Sequence, residues 1–192
     1  MVRFDDGTVM RLYKQTVQDF GLYSGLEMTD EEFQKLCTAA GDMSAKMRAV
    51  RIVAASNVSR QDLQRRLIHK GEDSTHAKDA VQWMVDMQLV DDRRTAEQIV
   101  QKCIQKGYGV SRAKQALYEK RIPKEYWDDV LAQYPDQTDH IVSYLQNHLG
   151  DGWGEKELRR ATDALLRRGH SFSQIRQGLE QLSLLTEEFP EE

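Results

Sequence analysis

From Thr29 onward the apolar residues recur at helical spacing, and the breaks between them are short. Thr29-Asp30-Glu31-Glu32 predicts a helix start, with Thr29 as cap and Glu32 at the capping-box position; Phe33, Leu36 and Cys37 follow on one face. Residues 44–55 place Met47, Val50 and Ala54 on a stripe. Residues 59–70 put Leu63 and Leu67 one turn apart, with Gly71 placed to end the helix. Residues 74–90 turn Ala77, Val81, Met84 and Val85 inward. Asp91 or Asp92 caps a helix bearing Ala96, Ile99, Val100, Cys103 and Ile104, which stops at Lys106-Gly107-Tyr108-Gly109. Residues 111–122 carry Ala113 and Leu117, and Pro123 suits the first turn of a helix running to Tyr134. Residues 140–149, 155–168 and 172–185 complete the set, and the acidic tail from Glu187 is expected to fray. Only the start differs. Val2-Arg3-Phe4 and the run from Thr8 to Tyr13 flank Asp5-Asp6-Gly7, the pattern of a β-hairpin, which needs something to pack on.

The helices repeat. A shift of 50 lays Leu63, Leu67, Lys70 and Gly71 over Ala113, Leu117, Lys120 and Arg121, and a further 48 reaches Ala161, Leu165, Arg168 and Gly169. The same shifts carry Ala77 and Val81 onto Trp127 and Leu131, then near Ile175 and Leu179. The expected fold is mainly α. Tandem three-helix repeats over 43–90, 91–138 and 139–185 follow an N-terminal segment and leading helix over 1–42 and precede an acidic tail over 186–192. Repeats of this length bury their apolar faces by stacking, so the expected product is an elongated, curved array.

Composition narrows the class. With 3 Pro and 12 Gly in 192 residues, an all-β fold lacks the turn residues it needs. The longest uninterrupted apolar run, Ile52-Val53-Ala54-Ala55, is far short of the roughly 20 residues of a membrane span. No charged-then-apolar leader opens the sequence, and Cys37 and Cys103 lie far apart. The expectation is therefore a cytoplasmic protein with buried or half-buried thiols and no membrane association.

The net charge of −4 points away from nucleic acid until it is divided. The second helix of each repeat is basic. Arg60, Arg65, Arg66 and Lys70 stand against Asp62; Arg112, Lys114, Lys120 and Arg121 against Glu119; Lys156, Arg159, Arg160, Arg167 and Arg168 against Glu155, Glu157 and Asp163. These three segments together carry +8, which leaves −12 for the rest of the chain. Basic residues on a helix often only solvate its outer face, with acidic partners supplied by neighbours. Their recurrence at one repeat position is instead the footprint of a polyanion or of an acidic protein groove.

No catalytic or metal-binding constellation emerges. His69, His76, His140, His148 and His170 lack metal-ligand spacing and suit surface or capping roles; the cysteines have no CxxC partner. Asp91 and Asp92 point about 100° apart on a helix and read as caps. The Gly107-Tyr108-Gly109 bend lacks the GKS or GKT ending of a phosphate loop; its glycines suit the end of one helix and the start of the next, with Tyr108 packing between repeats or exposed to a partner. Trp83 and Trp127 read as core residues, and Trp153, between two glycines, as a loop anchor or a contact. No enzyme activity, metal or cofactor is expected.

Leu89-Val90-Asp91-Asp92, followed by Arg93-Arg94-Thr95-Ala96 and then Lys106-Gly107-Tyr108-Gly109, resembles the middle repeat of the bacterial RecX regulatory proteins. Ser59-Arg60-Gln61-Asp62-Leu63 with Lys70-Gly71, the bend Arg167-Arg168-Gly169-His170-Ser171-Phe172, and the segment from Phe20 to Met28 are similar to other parts of that family. Gln88 stands where the family usually has Gly, Thr95 where an aromatic is usual, and Arg121 where Gly usually ends the second helix. The start is short for the family's N-terminal region.

The resemblance implies a three-repeat helical modulator of the RecA recombinase, monomeric and non-enzymatic. It would bind the RecA–DNA filament and inhibit ATPase, strand exchange and the co-protease activity behind the SOS response. The basic residues named above are then the candidate contacts with the filament or with DNA, and Asp91, Asp92, Gly107, Tyr108, Gly109 and Gly169 the structural motif. A general DNA-binding helical module that masks DNA, and a scaffold for another partner, are the competing expectations.

Overall fold

The computed structural model describes residues 1–149 and 154–188. The chain divides into two compact units, Met1–Asp91 and Asp92–Glu192. It is mainly helical with a small N-terminal antiparallel sheet, as the sequence pattern predicts.

In the first unit, β1 (Val2–Arg3) pairs with β2 (Val9–Met10) in the register Val2 to Met10 and Arg3 to Val9. Asp6 holds the turn by accepting from the Thr8 backbone N–H at 2.8 Å, which keeps its carboxyl below the usual range. The ribbon does find a support: Phe4 meets Phe33 edge to face, ring centres 5.0 Å apart. After α1 (Lys14–Asp19) comes α2 (Asp30–Ala55), opened by the predicted capping box between Thr29 and Glu32. The Thr29 N–H donates to Glu32 Oε2 at 2.7 Å, and that bond lowers the Glu32 carboxyl.

At 26 residues, α2 is one continuous helix where the sequence pattern suggests two pieces, and the expected boundary at 42/43 falls inside it. Its inward face also differs from the expected stripe. Leu36, Ala45, Ala49 and Ile52 are buried, whereas Val50 and Ala54 are exposed and Met47 is intermediate. Small alanines turn inward because α4 (Ser74–Asp86) packs close against α2: the His76 imidazole lies where a Cβ on Gly41 would sit. With α3 (Arg60–His69), these helices enclose a core of Leu63, Leu67, Ala77, Val81 and Met84, against which Trp83 packs.

The second unit has two cores. In the first, α5 (Asp92–Gln105) and α6 (Val110–Glu119) bury Ala96, Val100, Leu117 and Ile122. The helix expected from Pro123 to Tyr134 is instead a 3-10 turn, Lys124–Tyr126, followed by the short α7 (Trp127–Leu131). Trp127 packs partly buried on this core and donates its indole N–H to the Ile122 carbonyl at 3.1 Å. In the second core, α8 (Thr138–His148), α9 (Glu155–Arg167) and α10 (Phe172–Glu188) bury Ile141, Leu145, Ala161, Leu165 and Ile175. Glu187 and Glu188 are helical, not frayed; residues 189–192, and the 150–153 bend with Trp153, lie outside the described residues.

Among the described residues, six helices end in the same way, with a residue in the left-handed region and paired 6→1 and 5→2 backbone bonds. Three of these ends close the basic helices α3, α6 and α9. The last helical position there is followed by Lys70, Lys120 or Arg168 as C-cap, and then by Gly71, Arg121 or Gly169 at φ +89°, +54° and +88°. The other three, at Gly21, Gln88 and Gly107, close α1, α4 and α5. No helix among the described residues is long and apolar enough to cross a membrane.

Candidate partner-binding surface

Each basic helix turns its apolar stripe inward and its cations outward, but the cations differ in what surrounds them. On α3, Ser59 caps the helix by accepting from the Asp62 N–H at 3.1 Å, and Asp62 is almost wholly buried. Its carboxylate meets Arg65 at 3.2 Å and Arg66 at 2.8 Å, the latter a contact of charge without an aligned hydrogen bond. Arg60 and Lys70 are exposed. On α6, Arg112 is half-buried and reaches Glu119 at 3.3 Å, while Lys114 and Arg121 are exposed and Lys120 is half-buried. On α9, Lys156, Arg159, Arg160 and Arg167 are exposed and form no ion pair among the described residues. The expectation of neighbouring acidic partners is met on α3 by Asp62 and on α6 by Glu119, and not at these four positions of α9.

Arg168 behaves differently from its neighbours. Its guanidinium lies 4.8 Å from the centre of the Tyr144 ring and 6.0 Å from that of Tyr108, a cation–π arrangement that holds it in the fold. Its carbonyl accepts from the Gly109 N–H at 2.9 Å. The start of α6 and the end of α9 thus meet at glycine. A Cβ on Gly109 would fall 2.0 Å from the Gly169 carbonyl oxygen, and one on Gly169 would fall 2.3 Å from the Arg112 nitrogen. Arg112 and Arg168 are brought to one junction by this crossing.

The Gly107-Tyr108-Gly109 bend serves the same junction. Gly107 ends α5 at φ +63°, where a Cβ would strike the His140 ring, and Gly109 occupies the N-cap of α6. Tyr108 is half-buried, and its carbonyl accepts from the Tyr134 hydroxyl at 2.7 Å; burial pushes the Tyr134 phenol up to about 12. Asp92 is the buried first residue of α5, and Asp91 precedes it, exposed, at the position expected for a cap.

Two histidines depart from the expected surface role. His170 is buried, and its Nε2 donates to the Gly107 carbonyl at 3.0 Å, because a carbonyl can only accept. Burial lowers its pKa, and its Nδ1 has no partner among the described residues. His76 is half-buried and bonded through Nδ1 to Asp42. As expected, Cys103 is buried and Cys37 partly so, and burial raises the Cys103 thiol. Among the described residues no group of three or more His, Cys, Asp and Glu is placed to hold a metal ion.

The sequence pattern missed two cations. Arg48 and Arg51 project from the face of α2 beside α3 and, with Arg66 and Lys70, line an open cleft of about 500 Å3 floored in part by Ile52 and Ala55. Their spacing of three marks one helix face, but only the packing of α2 on α3 brings them beside Arg66.

Residues 91–131 match the family model described as RecX, second three-helix domain. The regulatory protein RecX of Vibrio campbellii is 27% identical over 146 residues, covering 74% of this chain and 93% of its own. That of Xanthomonas axonopodis pv. citri is 29% identical over 133 residues, covering 67% of this chain and 82% of its own. A crystal structure of regulatory protein RecX superposes with a TM-score of 0.67 at 18% identity, covering 91% of each chain. RecX from Lactobacillus salivarius gives 0.66 at 19% identity, over 76% of this chain and 99% of its own. The two structures share the fold, and the family model and the relatives match the residues: the chain is similar to the RecX regulatory proteins, with the likeness to their second three-helix domain at residues 91–131.

Proposed function

We propose that this chain is a non-enzymatic regulator of the RecA system, acting in the cytoplasm as a monomer organised in three helical repeats. It binds the RecA–DNA filament through the basic second helices α3, α6 and α9 and lowers recombinase ATPase, strand exchange and co-protease activity. In this way it restrains recombinational repair and the SOS response. One observation carries the reading beyond the resemblance to the family. Lys156, Arg159, Arg160 and Arg167 on α9 stand in solvent without acidic partners among the described residues, so their charge is available to a partner. Arg65 and Arg66, clamped by Asp62, and Arg112, held by Glu119, are pre-oriented contacts, whereas Arg168 positions the junction more than it faces a partner.

The test is a titration of the protein into a DNA-dependent recombinase ATPase assay, with wild type and with Arg65, Arg66, Arg159 and Arg160 all reversed to Glu. Inhibition by wild type that is lost in the variant is the expected result. No inhibition by wild type across a wide range at low salt would overturn the proposal. The second reading, masking of bare DNA, is favoured by the same exposed cations; it predicts inhibition that tracks DNA occupancy and falls steeply with salt, about 0.9 log unit per log unit of salt for each duplex phosphate contacted.

A further inference from the structure

The cleft between α2 and α3 has features that the surface cations elsewhere lack. Arg48 forms an ion pair with Glu72, its Nε 2.7 Å from the carboxylate, and donates an Nη1–H to the Lys70 carbonyl, also at 2.7 Å. The Glu72 side chain is only 8% exposed, so this guanidinium is anchored from below. Arg66 is anchored in the same way by buried Asp62 and by Ser56, its Nη1 lying 3.4 Å from the Ser56 hydroxyl. A guanidinium has five N–H donors, and each of these two has donors left over that are fixed in direction. The other two cations are not neutralised. Arg51 is exposed and bonded only to the neutral Tyr13 hydroxyl at 3.3 Å, and Lys70 is exposed and meets no carboxylate among the described residues. Four positive groups against two buried carboxylates leave the cleft cationic.

We infer that this cleft binds the phosphodiester backbone of a single nucleic-acid strand, with Arg51 and Lys70 supplying the charge and Arg48 and Arg66 the directed N–H donors. Oriented guanidinium forks match the oxygens of a phosphate, and a shallow cleft open to solvent admits a continuous chain. No aromatic ring lines it, so nothing there stacks on a base, and binding is indifferent to sequence. The inference adds α2 to the basic helices of the proposed function, and rests on that function only for the polyanionic class of ligand.

The experiment measures binding of the full chain to a fluorescent oligothymidylate across a salt series, for wild type, R51Q/K70Q and R159Q/R160Q. Arg51 and Lys70 lie outside every buried ion pair, so their double variant keeps the fold, and Tyr13→Phe controls for the lost hydroxyl contact. For R51Q/K70Q the slope of log affinity against log salt should become shallower by about 1.4, from two lost single-strand contacts at about 0.7 each. Y13F should keep the wild-type slope. An unchanged slope in R51Q/K70Q, or no binding by wild type, overturns the inference. So does displacement of the oligonucleotide by poly-L-glutamate at equal charge, which would make the cleft a seat for acidic protein. The ATPase titration separates the two proposals. Wild type that fails to inhibit while R51Q/K70Q still flattens the salt slope removes the regulatory reading and leaves the cleft. Inhibition that persists while the slope is unchanged does the reverse.

Discussion

Gly109 and Gly169 cross backbone to backbone: the Gly109 N–H donates to the carbonyl just before Gly169, and a methyl group on Gly109 would overlap the Gly169 carbonyl oxygen. The crossing joins the start of α6 to the end of α9, so two of the three basic helices are fixed to one another by atoms that tolerate no side chain. Gly109→Ala should therefore cost about 3 kcal/mol in urea unfolding, the range of a severe overpacking change. Gly71→Ala is the reference for backbone strain without a clash: Gly71 has a left-handed φ of +89° and nothing within 4 Å, whereas Gly109 stands at φ −76°, and the change should cost about 1 kcal/mol. Equal losses for the two would mean that the crossing is not the cause.

Gln88 and Arg121 adopt φ of +57° and +54°, a region that costs a residue with a Cβ about 1–2 kcal/mol. Replacing either with Gly removes that cost and adds about 0.5–1 kcal/mol of chain entropy to the unfolded state. Each substitution should raise stability by about 0.5–1 kcal/mol, read as a higher midpoint in denaturant at an unchanged slope. A loss in both would show that their side chains contribute more than the backbone strain removes.

His170 is buried with its pKa below the ordinary value, so the unfolded chain binds a proton more readily than the folded one. The sign is fixed by that difference: stability is complete above the unfolded value near 6.5 and declines as pH falls below it. The denaturant midpoint of wild type should fall between pH 7.5 and pH 5.5. His170→Gln, which keeps a donor for the Gly107 carbonyl but cannot titrate, should show a shallower decline. Parallel profiles would exclude His170 as the source.

Arg159→Glu with Arg160→Glu alters two exposed residues of α9 that have no ion pair to lose among the described residues. Stability should stay within about 0.5 kcal/mol of wild type while inhibition of recombinase ATPase weakens. Unfolding of the variant under assay conditions, or undiminished inhibition, would each defeat the assignment of α9 as a contact.

The repeat register was legible from sequence because it rests on local rules. Leu67, Leu117 and Leu165 are all buried, and Lys70, Lys120 and Arg168 all occupy helix C-caps, at the spacings the residues themselves display. The continuity of α2 was hidden, since Gly41 and Asp42 interrupt the apolar pattern and are accommodated only because His76 of α4 packs on one and bonds the other. Its inward alanines were hidden for the same reason: Ala45 and Ala49 face a close neighbour, which a hydrophobicity pattern favouring Met47 and Val50 does not disclose. His170 and the Arg48–Arg51 face belong to tertiary contacts with residues far along the chain, Gly107 in one case and Arg66 and Lys70 in the other.

The N-terminal segment is lashed to α2 at two places. Phe4 lies on Phe33 near one end, and the Tyr13 hydroxyl bonds Arg51 about 27 Å further along a helix that rises 1.5 Å per residue. The strap and the cationic cleft therefore share a side chain. Any ligand that draws Arg51 away from Tyr13 loosens the strap, and anything that grips the strap alters the cleft by the same factor, because a coupling free energy reads identically from either end.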